Sequence, residues 1–189
     1  PRPGLGRPGL PDLSCVPTGG FATTGAAAVA TAGLTWVFGK AVGNPRQGWT
    51  ILTAMMILFE QGKWRLDDPV TRYVPEFKNL RVVKSIKKDG SLELEDMKRP
   101  PTMREIMSHT AGFGYGLGGD DPVNKAFRDD KVLQSKNLDE MITKIAAIPL
   151  IYDPGTRWSY SISVDIQGYI VQKLSGQKFG DYLKANIFT

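Results

Sequence analysis

Chemistry in this chain has few places to sit. Cys15 is the only cysteine and His109 the only histidine, so no internal disulfide can form, no Cys/His metal cluster is expected, and a Ser-His-Asp relay could run only through His109. The stretch with the best arrangement is Tyr152-Asp-Pro-Gly-Thr-Arg-Trp-Ser-Tyr160-Ser-Ile-Ser-Val-Asp-Ile-Gln-Gly168. Asp153-Pro154-Gly155 is turn chemistry, with proline presetting φ and glycine free to take the positive φ of a type II turn. From Ser163 to Leu174 the apolar residues fall mostly at helical spacing, with Ser163 or Ser161 available as a cap and Gly176 after the end. Tyr160 therefore stands just before a helix N-terminus, where unpaired backbone N–H groups favour an anion and can lower the pKa of a nearby phenol. A phenol so placed can serve as a general acid or base. The plainer alternative is packing, in which a tyrosine beside Trp158 lies against a buried helix with its hydroxyl satisfied.

The rest of the chain must position that residue. Its 189 residues suit one domain, or most of one, and 41% hydrophobic with 23% charged residues is ordinary for a folded protein. The net charge of +5 is spread among acidic residues. Its densest patch, Arg81 to Lys88, reads as a hairpin with solvated lysines, so no nucleic-acid partner is expected. The longest apolar run, Ala26–Phe38, is shorter than the roughly 20 residues a membrane span requires. Arg2 and Arg7 precede that run without making a signal peptide, which leaves the compartment open between a bacterial cytoplasm and periplasm.

Residues 1–49 differ from the remainder. They hold ten of the 21 glycines, six of the 13 prolines and one acidic residue, Asp12. Neither helical nor alternating periodicity persists there, so an irregular or out-of-frame segment is expected. From Trp49 onward Ile51 to Phe59 reads as a buried helix ending at Gly62. Leu66 to Val70 reads as a turn, with Pro69 at the first position of a short helix that stops before Pro75. Leu80–Ile86 and Leu92–Met97 flank the Asp89-Gly90 turn of a β-hairpin. Thr102 and Glu105 form a capping box for a short helix. Gly112 to Gly119 reads as a mobile loop at the rim of a site and not as a phosphate loop, since it lacks Gly-Lys-Ser/Thr. No cofactor is expected. Asp121–Leu133 is a loop or short helix, Asn137 caps a helix over 138–147, and a last helix covers 179–186.

Taken together, four stretches resemble the serine β-lactamase and penicillin-binding-protein superfamily, in its class C-like, family VIII carboxylesterase branch. They are Ala54 to Leu58 with Leu66-Asp-Asp-Pro-Val70, Tyr73 and Pro75; Thr102 to Gly112 with Ser108-His-Thr-Ala-Gly112; Pro154-Gly155 through Tyr160 with Asp165 and Gly168; and Ser175-Gly176 with Tyr182 to Phe188. The resemblance covers about residues 50–189. It implies an α/β (α+β) fold, an antiparallel sheet with flanking helices beside an all-helical region, of which this chain supplies mainly the helical part. It also implies an acyl-enzyme mechanism in which a Ser-x-x-Lys serine attacks a small-molecule ester or β-lactam-like carbonyl and Tyr160 shares the proton transfers. His109 is by resemblance a structural histidine at a helix end, hydrogen-bonded or cationic near the terminal carbonyls.

The departures carry as much weight as the matches. The nucleophile is expected near Pro45 and its lysine near Gly48, where the sequence reads Asn44-Pro-Arg-Gln-Gly-Trp49. Ile162 stands where β-lactamases carry asparagine, which suits the esterase branch. The family's further Lys/His-Thr/Ser-Gly or Trp-Gly-Gly element is expected beyond Thr189. Two literal Ser-x-x-Lys matches, Ser85 to Lys88 and Ser175 to Lys178, fall in the expected hairpin and at a helix end, whereas a working pair needs one rigid helix face. Two readings follow: an incomplete serine hydrolase, inactive as written and of marginal stability, or a catalytically dead relative kept as a binding module. A basic surface-binding protein ranks below both.

Overall fold

The computed structural model describes residues 45–188 apart from Gly118. Expectations for residues 1–44, including the irregular start, Cys15 and the Ala26–Phe38 run, lie outside the described residues.

Helix α1, Pro45–Glu60, begins ahead of the compositional change at Trp49 and ends where Gly62 takes φ +70°. Ile51, Ala54, Met55 and Leu58 point inward at intervals of three and four residues, the spacing of one helix face. Trp64 is buried beside them, and its indole N–H donates to the Met55 carbonyl at 2.9 Å, locking the following turn onto the helix.

The expected helix with Pro69 at its first position is instead a 3₁₀ turn, Val70–Arg72, with Pro69 extended just outside it. The reason lies across the chain: the Val70 N–H donates to the Pro101 carbonyl at 2.8 Å, and Pro69 bridges Thr102. Pro75 does not merely end that turn, because it opens a second 3₁₀ segment, Pro75–Asn79, where its fixed φ and missing donor cost nothing. The hairpin forms as expected from β1, Arg81–Ile86, and β2, Leu92–Asp96, paired antiparallel with a bulge between Val83 and Ser85. Leu150 bridges the free edge of β1 in parallel, donating to the Arg81 carbonyl and accepting from the Val83 N–H. Ser85 and Lys84 both bond Glu93 on the exposed face, so Ser85 has no helix to share with Lys88.

Helix α2, Met103–Met107, starts with the full Thr102–Glu105 capping box. Helix α3, Pro122–Asp129, is capped by the Asp121 carboxylate and followed by a 3₁₀ turn at Val132–Gln134. Helix α4, Leu138–Ala147, is capped by Asn137. Helix α5, Ser163–Ser175, is buried without a break from Asp165 to Val171 and packs against α1, α2, α4 and the last helix, α6, Phe179–Asn186. A helix buried on all sides is a core element rather than a surface one. Gly176 closes α5 at φ +69°, and Ser175 bonds back to the Gln172 carbonyl, so the second Ser-x-x-Lys match is helix-end chemistry.

The glycine-rich stretch is pinned rather than loose over its first half. Gly112 takes φ +89°, and a Cβ there would lie 2.2 Å from the Tyr152 carbonyl oxygen. A Gly112→Ala variant combines a left-handed backbone with a clash against main chain, and we expect it to lose at least about 3 kcal/mol of stability in denaturant unfolding.

Candidate functional site

Two extended segments lie side by side, and their main-chain bonds set every side chain of the site. Ile151 N–H donates to the Gly112 carbonyl at 2.8 Å, Gly155 to Thr110 at 2.8 Å, Ser159 to His109 at 3.0 Å and Ile162 to Gly114 at 3.0 Å. The turn of the second segment is anchored by Arg99, whose guanidinium holds both carboxylate oxygens of Glu105 and the Pro154 carbonyl. Burial works against ionisation of Glu105, but Arg99 and the Thr102 N–H outweigh it and hold the carboxyl below its ordinary range. The tight Pro154-Gly155 approach leaves no room for a side chain, since a Cβ at Gly155 would fall 2.6 Å from Glu105 Oε1.

His109 follows the end of α2 with φ 58°, and Thr110 N–H reaches back to the Glu105 carbonyl at 2.9 Å. This is a Schellman-like termination in which histidine occupies the left-handed place usually given to glycine. The ring is hydrogen-bonded, one of the two forms expected of a histidine at a helix end, but its partner is Ser161 and not a helix-terminal carbonyl. Its Nδ1 accepts from the Ser161 N–H at 3.1 Å and lies 3.2 Å from Ser161 Oγ, which in turn lies 2.8 Å from Ser163 Oγ. An acceptor Nδ1 assigns the proton of the neutral ring to Nε2, and burial holds the imidazole below its ordinary value. Neither serine caps α5: the capping position is Ile162, without a side-chain bond, and Ser163 is already helical.

Tyr160 stacks on this neutral imidazole, with ring centroids 4.8 Å apart and planes 28° from parallel. Tyr115 meets it edge-on at 5.5 Å, and Trp158 lies edge-on to His109 at 6.4 Å. Tyr160 keeps 52% of its surface exposed while its ring packs against His109 and Tyr115. The ring stands at a cavity of about 260 Å³ lined by Gly114, Tyr115, Leu117, Asn124, Ile151, Ser159 and Tyr160. None of those residues carries a charge. The Asn124 side chain is held in place, its Oδ1 accepting from the Tyr115 and Gly116 N–H groups and its Nδ2 donating to Asp121.

Beneath the cavity, Tyr115 faces Asp165 in the first turn of α5. Burial pushes the Tyr115 phenol well above its ordinary range, with the Asp165 charge adding to the effect, so it stays protonated. Burial likewise raises the Asp165 carboxyl to about 6, against a smaller opposing pull from the Tyr115 hydroxyl. Sequence reasoning singled out Tyr160 and His109 and placed Asp165 within a motif, but it missed Tyr115 and Asn124. The only signal for Tyr115 was an aromatic residue inside a glycine run; Asn124, in the first turn of α3, gave none.

The described residues share the β-lactamase/DD-peptidase fold with solved structures. One is simvastatin synthase (LovD) from Aspergillus terreus, 27% identical with a TM-score of 0.59, the match covering 75% of this chain and 34% of that one. Another is EstCE1, a hydrolase with promiscuous acyltransferase activity, 25% identical with a TM-score of 0.59 over 75% of this chain and 35% of that one. Among curated proteins, the esterase EstB of Burkholderia gladioli is 32% identical over 130 residues, 67% of this chain and 30% of the esterase. Residues 50–189 match the family model described as Beta-lactamase, and the chain belongs to that family, in the serine β-lactamase and penicillin-binding-protein superfamily with its esterase branch. It spans about 30% of the length of the curated relatives it matches.

The site also sets a pH dependence. With a folded value of about 6 against an ordinary 3.8, Asp165 still holds a proton in the native state where the unfolded chain has released it. The native state therefore loses stability as pH rises through about 6. His109 acts in the opposite sense: its lowered folded value means stability is complete above 6.5 and falls as pH drops below it. An Asp165→Asn variant removes the first effect and keeps the second. Relative to the unmodified chain it should gain up to about 3 kcal/mol in unfolding free energy between about pH 4 and about pH 8, measured by denaturant unfolding at each pH.

Proposed function

We propose that this chain is part of a serine hydrolase that cleaves small carboxylic esters through an acyl-enzyme, with Tyr160 as the group that exchanges protons with the nucleophile. The observation that carries this reading is a half-exposed phenol at the mouth of an uncharged cavity, held between two aromatic rings immediately before a buried helix. A general acid or base needs solvent or substrate access together with a fixed ring, and Tyr160 has both.

The lining favours neutral esters over β-lactams. A β-lactam antibiotic carries a carboxylate, which would enter this cavity without a cation to meet it. Relatives named as an esterase, a hydrolase with promiscuous acyltransferase activity and a simvastatin synthase support acyl chemistry in general. Hydrolysis and acyl transfer differ only in whether water or an alcohol takes the acyl group.

As written, the chain is inactive on this reading, because α1 opens Pro45-Arg-Gln-Gly48 where the resemblance requires Ser-x-x-Lys. Gly48 borders open space, since a Cβ there would meet nothing within 4 Å. The same lack of Ser-x-x-Lys, in a chain that keeps the cavity at Tyr160, favours the second reading, a catalytically dead binding module for acyl or peptidoglycan-like ligands. The genomic DNA separates the two. A shifted frame encoding Ser-x-x-Lys ahead of this helix supports the enzyme, and a verified Asn-Pro-Arg-Gln-Gly supports the binding module.

Two measurements check the enzymatic reading directly. The chain should turn over no p-nitrophenyl acyl ester and take no label from a fluorophosphonate probe; labelling at a single serine would overturn its inactivity. The double variant Pro45→Ser with Gly48→Lys should be labelled at position 45, and adding Tyr160→Phe should slow that labelling by about 10²-fold or more. Equal labelling with and without the phenol removes Tyr160 from the chemistry.

A further inference from the structure

Tyr160 is gripped on both sides by a single residue. The His109 carbonyl accepts the Ser159 N–H at 3.0 Å, and His109 Nδ1 accepts the Ser161 N–H at 3.1 Å. Between those two bonds the imidazole faces the Tyr160 ring, with centroids 4.8 Å apart and planes 28° from parallel. The bonds fix the peptides before and after Tyr160, and the stacked ring limits the rotation of its side chain. The imidazole is itself held by two buried serines: Ser161 Oγ lies 3.2 Å from Nδ1 and 2.8 Å from Ser163 Oγ.

Ending α2 does not call for histidine. Residue 109 has φ 58°, a left-handed backbone that glycine adopts freely and asparagine more readily than most residues. Glycine offers nothing to the Ser161 N–H, and asparagine offers an acceptor but no ring. Phenylalanine brings a ring without an acceptor, the tryptophan indole only donates, and the tyrosine hydroxyl stands at the far end of its ring from the main chain. A neutral imidazole alone combines an aromatic face with an acceptor one bond from Cγ. Burial, which keeps the ring below its ordinary protonation range, preserves that acceptor.

We propose that His109 is the positioning residue of Tyr160: it accepts the main-chain N–H groups on either side of the tyrosine and supplies the aromatic floor on which the phenol rests at the cavity. The proposal rests on the reading of Tyr160 as the proton-exchanging group for its purpose, while the grip itself is read without any turnover. Holding a group within a narrow range of geometry requires neighbours whose own positions are locked, and the two serines lock the imidazole. The grip also gives a histidine in a left-handed backbone a reason beyond helix termination.

The test uses the full chain with labelled amide nitrogens and labelled histidine and tyrosine rings in nuclear magnetic resonance. His109 is the only histidine, so its ring signals are assigned at once, and Tyr160→Phe assigns the tyrosine. In the unmodified chain at neutral pH, Nδ1 should be unprotonated and Nε2 protonated; a protonated Nδ1 overturns the proposal. His109→Gly suits the left-handed backbone and keeps the carbonyl for Ser159, but removes both the ring acceptor and the floor. Exchange of the Ser161 amide should then quicken about tenfold or more, the change expected on losing a hydrogen bond of ordinary strength. Cross-peaks between the Tyr160 and Tyr115 rings, whose centroids lie 5.5 Å apart, do not involve the imidazole and should be weakened or lost. His109→Asn, which restores an acceptor without a ring, should return Ser161 exchange to near its unmodified rate while the cross-peaks stay weakened. A histidine that only ends α2 predicts unchanged cross-peaks in His109→Gly, and that outcome overturns the proposal. If His109→Gly does not fold, His109→Asn decides, and undiminished cross-peaks in it overturn the proposal. In the Pro45→Ser, Gly48→Lys background, His109→Gly should slow fluorophosphonate labelling when Tyr160 is present and change nothing once Tyr160→Phe is made; equal slowing in both overturns positioning through Tyr160. Should the resonance results stand while labelling ignores Tyr160→Phe, the grip stands and the hydrolase reading fails by itself.

Discussion

The site depends on one pairing of main chain, the run of N–H···O bonds that holds residues 109–114 against residues 151–162. Its residues belong to segments far apart in sequence, joined on one side through α2 and on the other through α5. Because the bonds fall at His109, Thr110, Gly112 and Gly114, the pairing sets which side chains face each other. Tyr160 comes to rest on His109 for that reason, and not through any attraction strong enough to bring the rings together unaided. The glycines follow from the same constraint: Gly112 and Gly155 stand where the opposing backbone or the Arg99–Glu105 pair occupies the space of a side chain.

Around this pairing, two residues depart from what stability favours. His109 holds a left-handed backbone that costs a non-glycine residue on the order of 1 kcal/mol. Asp165 holds a carboxyl in a nearly dry setting. The helix ends follow the usual rules: Thr102, Asp121 and Asn137 cap their helices, and Gly62 and Gly176 end theirs. Departures also occur away from Tyr160, as at Lys131, which takes φ 50°.

The helices were legible in the sequence because their signals are local. The capping box at Thr102, the Asn137 cap, the 163–174 periodicity and the Phe179–Asn186 helix each rest on residues within a turn or two of one another, and the structure reproduces them. The Asp89-Gly90 hairpin belongs with them. What could not be read was set by distant partners. Pro69 lost its helical position to a bridge with Thr102, and Ser161 and Ser163 turned from capping to holding His109. The same distance hid Asn124, whose role is to satisfy two N–H groups of the glycine-rich loop. Tyr160 was singled out for the helix that follows it, yet its surroundings are aromatic rings contributed by other segments.

The electrostatics of the cavity argue further for what it accepts. The chain carries a net charge of +5, but none of the residues that line the cavity is charged, and its wall is made of hydroxyls, glycine backbone, the Asn124 amide and apolar side chains. A basic surface attracts anions to the protein in general. An uncharged pocket then admits only ligands that can leave their counter-ions and hydration behind. On the proposed hydrolase reading, the two together fit a substrate whose reacting end is neutral, such as an ester, with any charge confined to a part that stays in solvent.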